Sequence, residues 1–82
     1  SAMIVKTDDG LVWAGHDKGV SAFDSSFNEE IRLEAPEIPA GRVNTLYTDE
    51  KGLWAGSQEG AAHLSRKNGK WEVSSTRKAD SG

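Results

Sequence analysis

The chain has 82 residues, 35% hydrophobic and 28% charged, with a net charge of −3 at pH 7, nine glycines, two prolines and no cysteine. That length allows one small unit with a thin core. The mild negative charge argues against a general nucleic-acid binder, which needs a basic face, the missing cysteine excludes disulfides and thiolate metal sites, and no run is long and apolar enough to span a membrane.

Ser1 and Ala2 ahead of Met3 read as the remnant of a cleaved expression tag. From Met3 onward, four short runs alternate with turn residues: "MIVKT" (3–7), "LVWAG" (11–15), "GVSAF" (19–23) and "EIRLE" (30–34). Each has the length and β-branched or aromatic content of a strand. The connector "HDKG" (16–19) ends in glycine, as a hairpin does whose last loop residue is left-handed. "EAPEIPAGR" (34–42) carries both prolines, which block helix and ladder alike, and reads as a connecting loop.

Four more strands follow: "VNTLYT" (43–48), "GLWAG" (52–56), "AAHLS" (61–65) and "KWEVS" (70–74). "SQEG" (57–60) again closes on glycine, and "KNGK" (67–70) carries Asn-Gly, the strongest short hairpin signal. No segment keeps apolar residues at helical spacing for three turns, so the expected class is all-β.

The second set of strands repeats the first. Without gaps, Thr7 aligns with Thr48, Asp8 with Asp49, Trp13-Ala14-Gly15 with Trp54-Ala55-Gly56 and Gly19 with Gly60, always 41 residues apart. The same offset pairs Lys6 with Tyr47. A period in the low forties with four strands per unit is that of a β-propeller blade. The expected architecture is therefore two four-stranded antiparallel blades, at 3–41 and 42–82.

The run V-N-x-L-Y-x-D-x-x-G-L-W-A-G-S-x-x-G, from Val43 to Gly60, resembles the two-component regulator propeller repeat. The first repeat follows it with Gly10 one residue early, and is also similar to quinoprotein-type blades. The resemblance implies propeller blades from sensory domains, commonly periplasmic, that bind glycan-like ligands.

A blade is apolar on both faces, because each face packs on a neighbour. Two blades bury one interface and leave two faces open, and repeat modules need about three units to be stable. The two words "LVWAG" and "GLWAG" make those open faces similarly apolar, so the expectation is self-association: head-to-tail packing until a ring closes. Residues 1–41 hold eight acids and three bases, against five and seven in 42–82, so each junction is mildly attractive. Two blades per chain permit rings of four, six or eight; a homotrimer of six blades is favoured, with a homotetramer of eight as runner-up.

Trp13, Ala14, Gly15, Trp54, Ala55 and Gly56 are expected to pack blade on blade, the tryptophans wedging between sheets that the small residues let approach. Trp71 on the outermost strand also reads as a packing residue. Asp8, Asp49, Gly19 and Gly60 are expected to fix turns. Lys6, Asn44 and Tyr47, on the innermost strands, are the candidates for a small polar or glycan ligand, with the diverging loops "HDKG" and "SQEG" beside them. His16 and His63 occupy different places in their repeats, and neither stands near an acid at ligand spacing, so no metal or other cofactor is expected. No nucleophile elbow, phosphate loop or catalytic carboxylate pair is present, so no enzyme is expected. The function expected is assembly into a scaffold; a sensory glycan-binding module and a protein-interaction platform are the alternatives.

Overall fold

A computed structural model, described for residues 3–39 and 41–79, shows eight β-strands and, among those residues, no helix. Ser1 and Ala2, read above as a tag remnant, lie outside them. The strands are β1 (Ile4–Lys6), β2 (Val12–His16), β3 (Gly19–Phe23), β4 (Glu29–Glu34), β5 (Val43–Thr48), β6 (Gly52–Ser57), β7 (Gly60–Lys67) and β8 (Lys70–Lys78). They form two four-stranded antiparallel meanders, β1-β2-β3-β4 and β5-β6-β7-β8. The β7–β8 turn has Asn68 at φ 53° and Gly69 at φ 80°, the two positive values an Asn-Gly hairpin requires.

Cross-strand partners share a face, and alternate residues along a strand share one too. In the N-terminal sheet the row Val5–Trp13–Ala22–Ile31 and the row Gly15–Val20–Leu33 therefore lie on one side. In the C-terminal sheet Leu46–Ala55–Ala62 and Leu53–Leu64–Val73 form the matching apolar side. These two sides meet. Trp13, Val20, Ala22, Leu46, Leu53, Ala55, Ala62 and Leu64 make one buried cluster, joined by Val43 and by Ile38 of the connecting loop. Each sheet thus turns one face inward and leaves one outward. Matching bulges in β4 and β8, opposite Ala22/Phe23 and His63/Leu64, keep the two sheets equivalent at their outer strands.

The equivalence fails at the first hairpin. Val5 faces Trp13 and Lys6 faces Val12, whereas Tyr47 faces Trp54 and Thr48 faces Leu53. The β1–β2 turn is one residue longer than the β5–β6 turn, so the pairing of Lys6 with Tyr47 expected from the ungapped repeat is wrong. The counterpart of Tyr47 is Val5. Thr7 correspondingly stands where Asp49 does, and both accept the indole N–H: Trp13 Nε1 donates to Thr7 Oγ1 at 3.2 Å, and Trp54 Nε1 to Asp49 Oδ2 at 3.1 Å.

Candidate functional site

The two first hairpins, β1–β2 and β5–β6, open side by side at one end of the inter-sheet joint. Together with the β7–β8 hairpin they enclose a cleft of about 380 Å³, lined by Lys6, Asp8, Asp49, Lys51, Arg66 and Trp71 among others. Its walls carry both acids and bases.

The side of the cleft toward the N-terminal sheet is a knot of charge and aromatic contact. Arg66, on β7, reaches across the joint: Nη2 meets Asp8 Oδ1 at 2.8 Å and Nη1 meets Asp9 Oδ2 at 3.1 Å. Trp71, opposite Arg66 on β8, donates its indole N–H to the same Asp9 oxygen at 2.8 Å. Its ring meets Trp13 edge-on, centroids 4.9 Å apart at 71°, and the Arg66 guanidinium sits 5.6 Å from the ring centre. Such aromatic and cation–π contacts add to the area they bury. The turn itself is held by Asp9, whose Oδ1 accepts the Leu11 amide at 3.2 Å and the Thr7 hydroxyl. The turn-fixing role expected of Asp8 thus belongs to Asp9, because the extra residue in this turn swings Asp8 toward Arg66.

Burial pushes the Asp9 carboxyl up, but the hydrogen bonds from Thr7, Trp71, the Leu11 amide and Arg66 outweigh it and hold the group down at about 2. A carboxyl held below its ordinary 3.8 stabilises the fold above that pH, and the contribution disappears as pH falls to about 2. Discounted for solvent screening, it is worth on the order of 1 kcal/mol. Urea midpoints measured across this window are expected to fall more steeply for the native chain than for Asp9→Asn. Parallel curves would show that the Asp9 cluster contributes nothing.

The side toward the C-terminal sheet is built on Asp49, which does fix its turn: Oδ1 accepts the amides of Lys51 at 2.9 Å and Gly52 at 2.7 Å. His63 Nε2 lies 3.2 Å from Asp49 Oδ2, and the imidazole tilts against Trp54 at 4.7 Å between centroids. Burial raises the Asp49 carboxyl, and the His63 and amide hydrogen bonds bring it below its ordinary value. His63 Nδ1 is 2.6 Å from Ser74 Oγ, so an Asp–His–Ser series exists. The Ser74 hydroxyl, however, donates to the His63 carbonyl at 3.0 Å. Its proton is engaged by the backbone, and the series serves to clasp the β8 bulge.

The other expected site residues separate. Trp13 is fully buried between the sheets, and Gly15 lies against the Val43 backbone. Ala55 is buried at the joint, while Trp54 lies on the open face, 37% exposed. Ala14 faces outward, in a row with Ile4 and Ser21. Gly19 and Gly60 open β3 and β7, where a Cβ would meet the carbonyl oxygens of Leu33 at 2.0 Å and Arg77 at 2.1 Å. Each directly follows its turn and permits this close strand approach, Gly60 with φ 144°. Lys6 lines the cleft, Asn44 lines a separate hollow with Arg42 and Glu59, and Tyr47 stands 62% exposed on the open face, so the three ligand candidates do not converge. His16 bonds Ser21 Oγ at 3.1 Å, and among the described residues no His, Asp and Glu gather to hold a metal ion.

Arg66 escaped sequence reasoning. Its partners are 57 and 58 residues away in the chain, and its only trace is the excess of bases in the second half. Compared with family models, curated proteins and solved structures, the chain matches none of them.

Proposed function

We propose that the chain is a pair of β-propeller blades whose function is to assemble: copies join head to tail, the outer face of one C-terminal sheet on the outer face of the next N-terminal sheet. Three copies close a ring of six blades, and four copies, closing eight, are the second choice. One observation carries this reading. The same word, Trp-Ala-Gly, is covered at Trp13, which is fully buried, and uncovered at Trp54, which is 37% exposed.

The outer face of the N-terminal sheet supports it. Ile4, Val12, Ala14 and Phe23 stand where Leu46, Leu53, Ala55 and Leu64 stand in the face that covers Trp13. Ile4 is left 65% exposed there. The receiving face is less apolar than the repeat led one to expect, since His63, Ser75 and Arg77 occupy the places of Ala22, Ile31 and Leu33. The joint between copies is therefore more polar than the one within the chain, and the association is concentration-dependent.

Sedimentation equilibrium is expected to give three times the 8.8 kDa chain mass at high concentration, falling toward a single chain on dilution. A single 8.8 kDa species at every concentration would refute the assembly. The glycan-binding alternative has one observation behind it, the polar lining of the cleft, and stands second.

A further inference from the structure

Asn68 and Gly69 make up the whole β7–β8 loop, since Lys67 faces Lys70 and the ladder closes on both sides of them. Both are exposed, and a Cβ placed on Gly69 would meet no atom within 4 Å. Among the described residues neither the Gly69 amide nor the Asn68 side chain has a hydrogen-bond partner. Asparagine is a thermolabile residue, because a backbone nitrogen can attack its side-chain amide. The attack needs a nitrogen that no ladder holds and that no neighbouring side chain hinders, and Gly69 supplies both.

The chain has two other asparagines, and neither offers this. Asn28 precedes Glu29, and Asn44 precedes Thr45, residues with side chains that lie within β4 and β5. The side chains are engaged as well. Asn28 Nδ2 donates to Asp24 Oδ2 at 3.3 Å, and Asn44 Oδ1 accepts the Thr45 hydroxyl at 3.2 Å.

We propose that Asn68 is a site of spontaneous covalent modification, with water as the only reagent. The Gly69 nitrogen loses its proton and forms a bond to Asn68 Cγ; the Cγ–Nδ2 bond breaks, and ammonia leaves a cyclic imide. Lys67 and Lys70 place positive charge on either side of the nitrogen as it becomes an anion, which favours this step. Water then opens the ring in one of two ways. Breaking the new bond to Cγ gives aspartate in an unchanged backbone; breaking the bond to the main-chain carbonyl gives isoaspartate, whose backbone runs through Cβ and Cγ. The two products act differently on the fold. Aspartate leaves Asp-Gly, which suits the same turn. Isoaspartate lengthens a two-residue loop by one backbone carbon, and the hairpin can no longer close on it. The next pair inward is Arg66 and Trp71, which close on Asp8 and Asp9. Modification at Asn68 therefore loosens one wall of the cleft.

The whole native chain, kept for weeks in mildly alkaline buffer at body temperature, tests the site by peptide mapping with mass detection and an isoaspartyl methyltransferase assay. The 68–69 peptide is expected to exchange amide for carboxyl several-fold faster than the peptides holding Asn28 and Asn44, and to carry isoaspartate. If Asn68 stays intact, or the other two convert as fast, the site is refuted. Asn68→Asp supplies one product without the other and is expected to keep the native urea midpoint. The isoaspartyl fraction, separated by ion exchange, is expected to have a lower midpoint and to lose the near-ultraviolet circular dichroism of the Trp13–Trp71 pair. An isoaspartyl fraction that unfolds like Asn68→Asp would refute the effect on the cleft. None of these outcomes depends on assembly, so they leave the head-to-tail reading to its own test.

Discussion

Trp13→Ala is expected to destabilise the chain by about 3–5 kcal/mol, and Trp54→Ala by less than about 1 kcal/mol under conditions where the chain is a single copy. The two substitutions remove the same atoms from the same three-residue word, so their difference isolates tertiary context. Trp13 is fully buried between the sheets, under Trp71 and against Val20 and Ala22. Its loss opens a cavity at the centre of the joint, strands the ring of Trp71, and removes the indole N–H bond to Thr7. Trp54 keeps one face in water, and its loss leaves His63 held by Asp49 and Ser74. A domain of this size has a total stability of only about 4–12 kcal/mol, so Trp13→Ala approaches unfolding. Urea titration followed by far-ultraviolet circular dichroism measures both. Equal costs would mean that the sheets do not pack through Trp13.

Gly15→Ala is the second large effect, at about 3 kcal/mol. A Cβ on Gly15 would stand 2.3 Å from the carbonyl oxygen of Val43 and 3.1 Å from its carbonyl carbon. These are backbone atoms of β5, which no rotamer change can move aside, so the sheets themselves must separate and give up packing on both sides of the joint. Gly56, the same position in the second copy of the word, has open space: its added Cβ comes no closer than 3.6 Å, to the Thr45 Cβ. Gly56→Ala is expected to lie within about 0.5 kcal/mol of the native chain, on the stabilising side, because alanine restricts the unfolded chain. Thermal melts of the two variants decide it, and a Gly15→Ala protein that melts like Gly56→Ala would refute the close approach of β2 and β5.

Much of the architecture is local and was readable as such. Runs of strand-forming residues bounded by glycine, proline and Asn-Gly place all eight strands to within a few residues at their ends, "KWEVS" (70–74) growing most, to Lys70–Lys78. The candidate site was readable only in fragments. Asp49, fixing its own turn from three residues away, is a local motif. The extra residue in the β1–β2 turn, signalled by the early Gly10, was enough to transfer turn-fixing from Asp8 to Asp9 and to set Lys6 out of step with Tyr47. A strand has a side-chain period of two, so a slip of one residue exchanges its faces, and an ungapped repeat cannot show that.

The amino-acid sequence by itself determined the all-β class, the two four-stranded units and the 41-residue duplication, because backbone propensity and turn chemistry act over a few neighbouring residues. Tertiary structure alone decided which tryptophan of the two Trp-Ala-Gly words is buried, and that Arg66 and Trp71 close on Asp9. The physical reason is that burial belongs to a face and its neighbour. Two identical words differ when the neighbouring sheet covers the tryptophan side of one strand and the alanine side of the other.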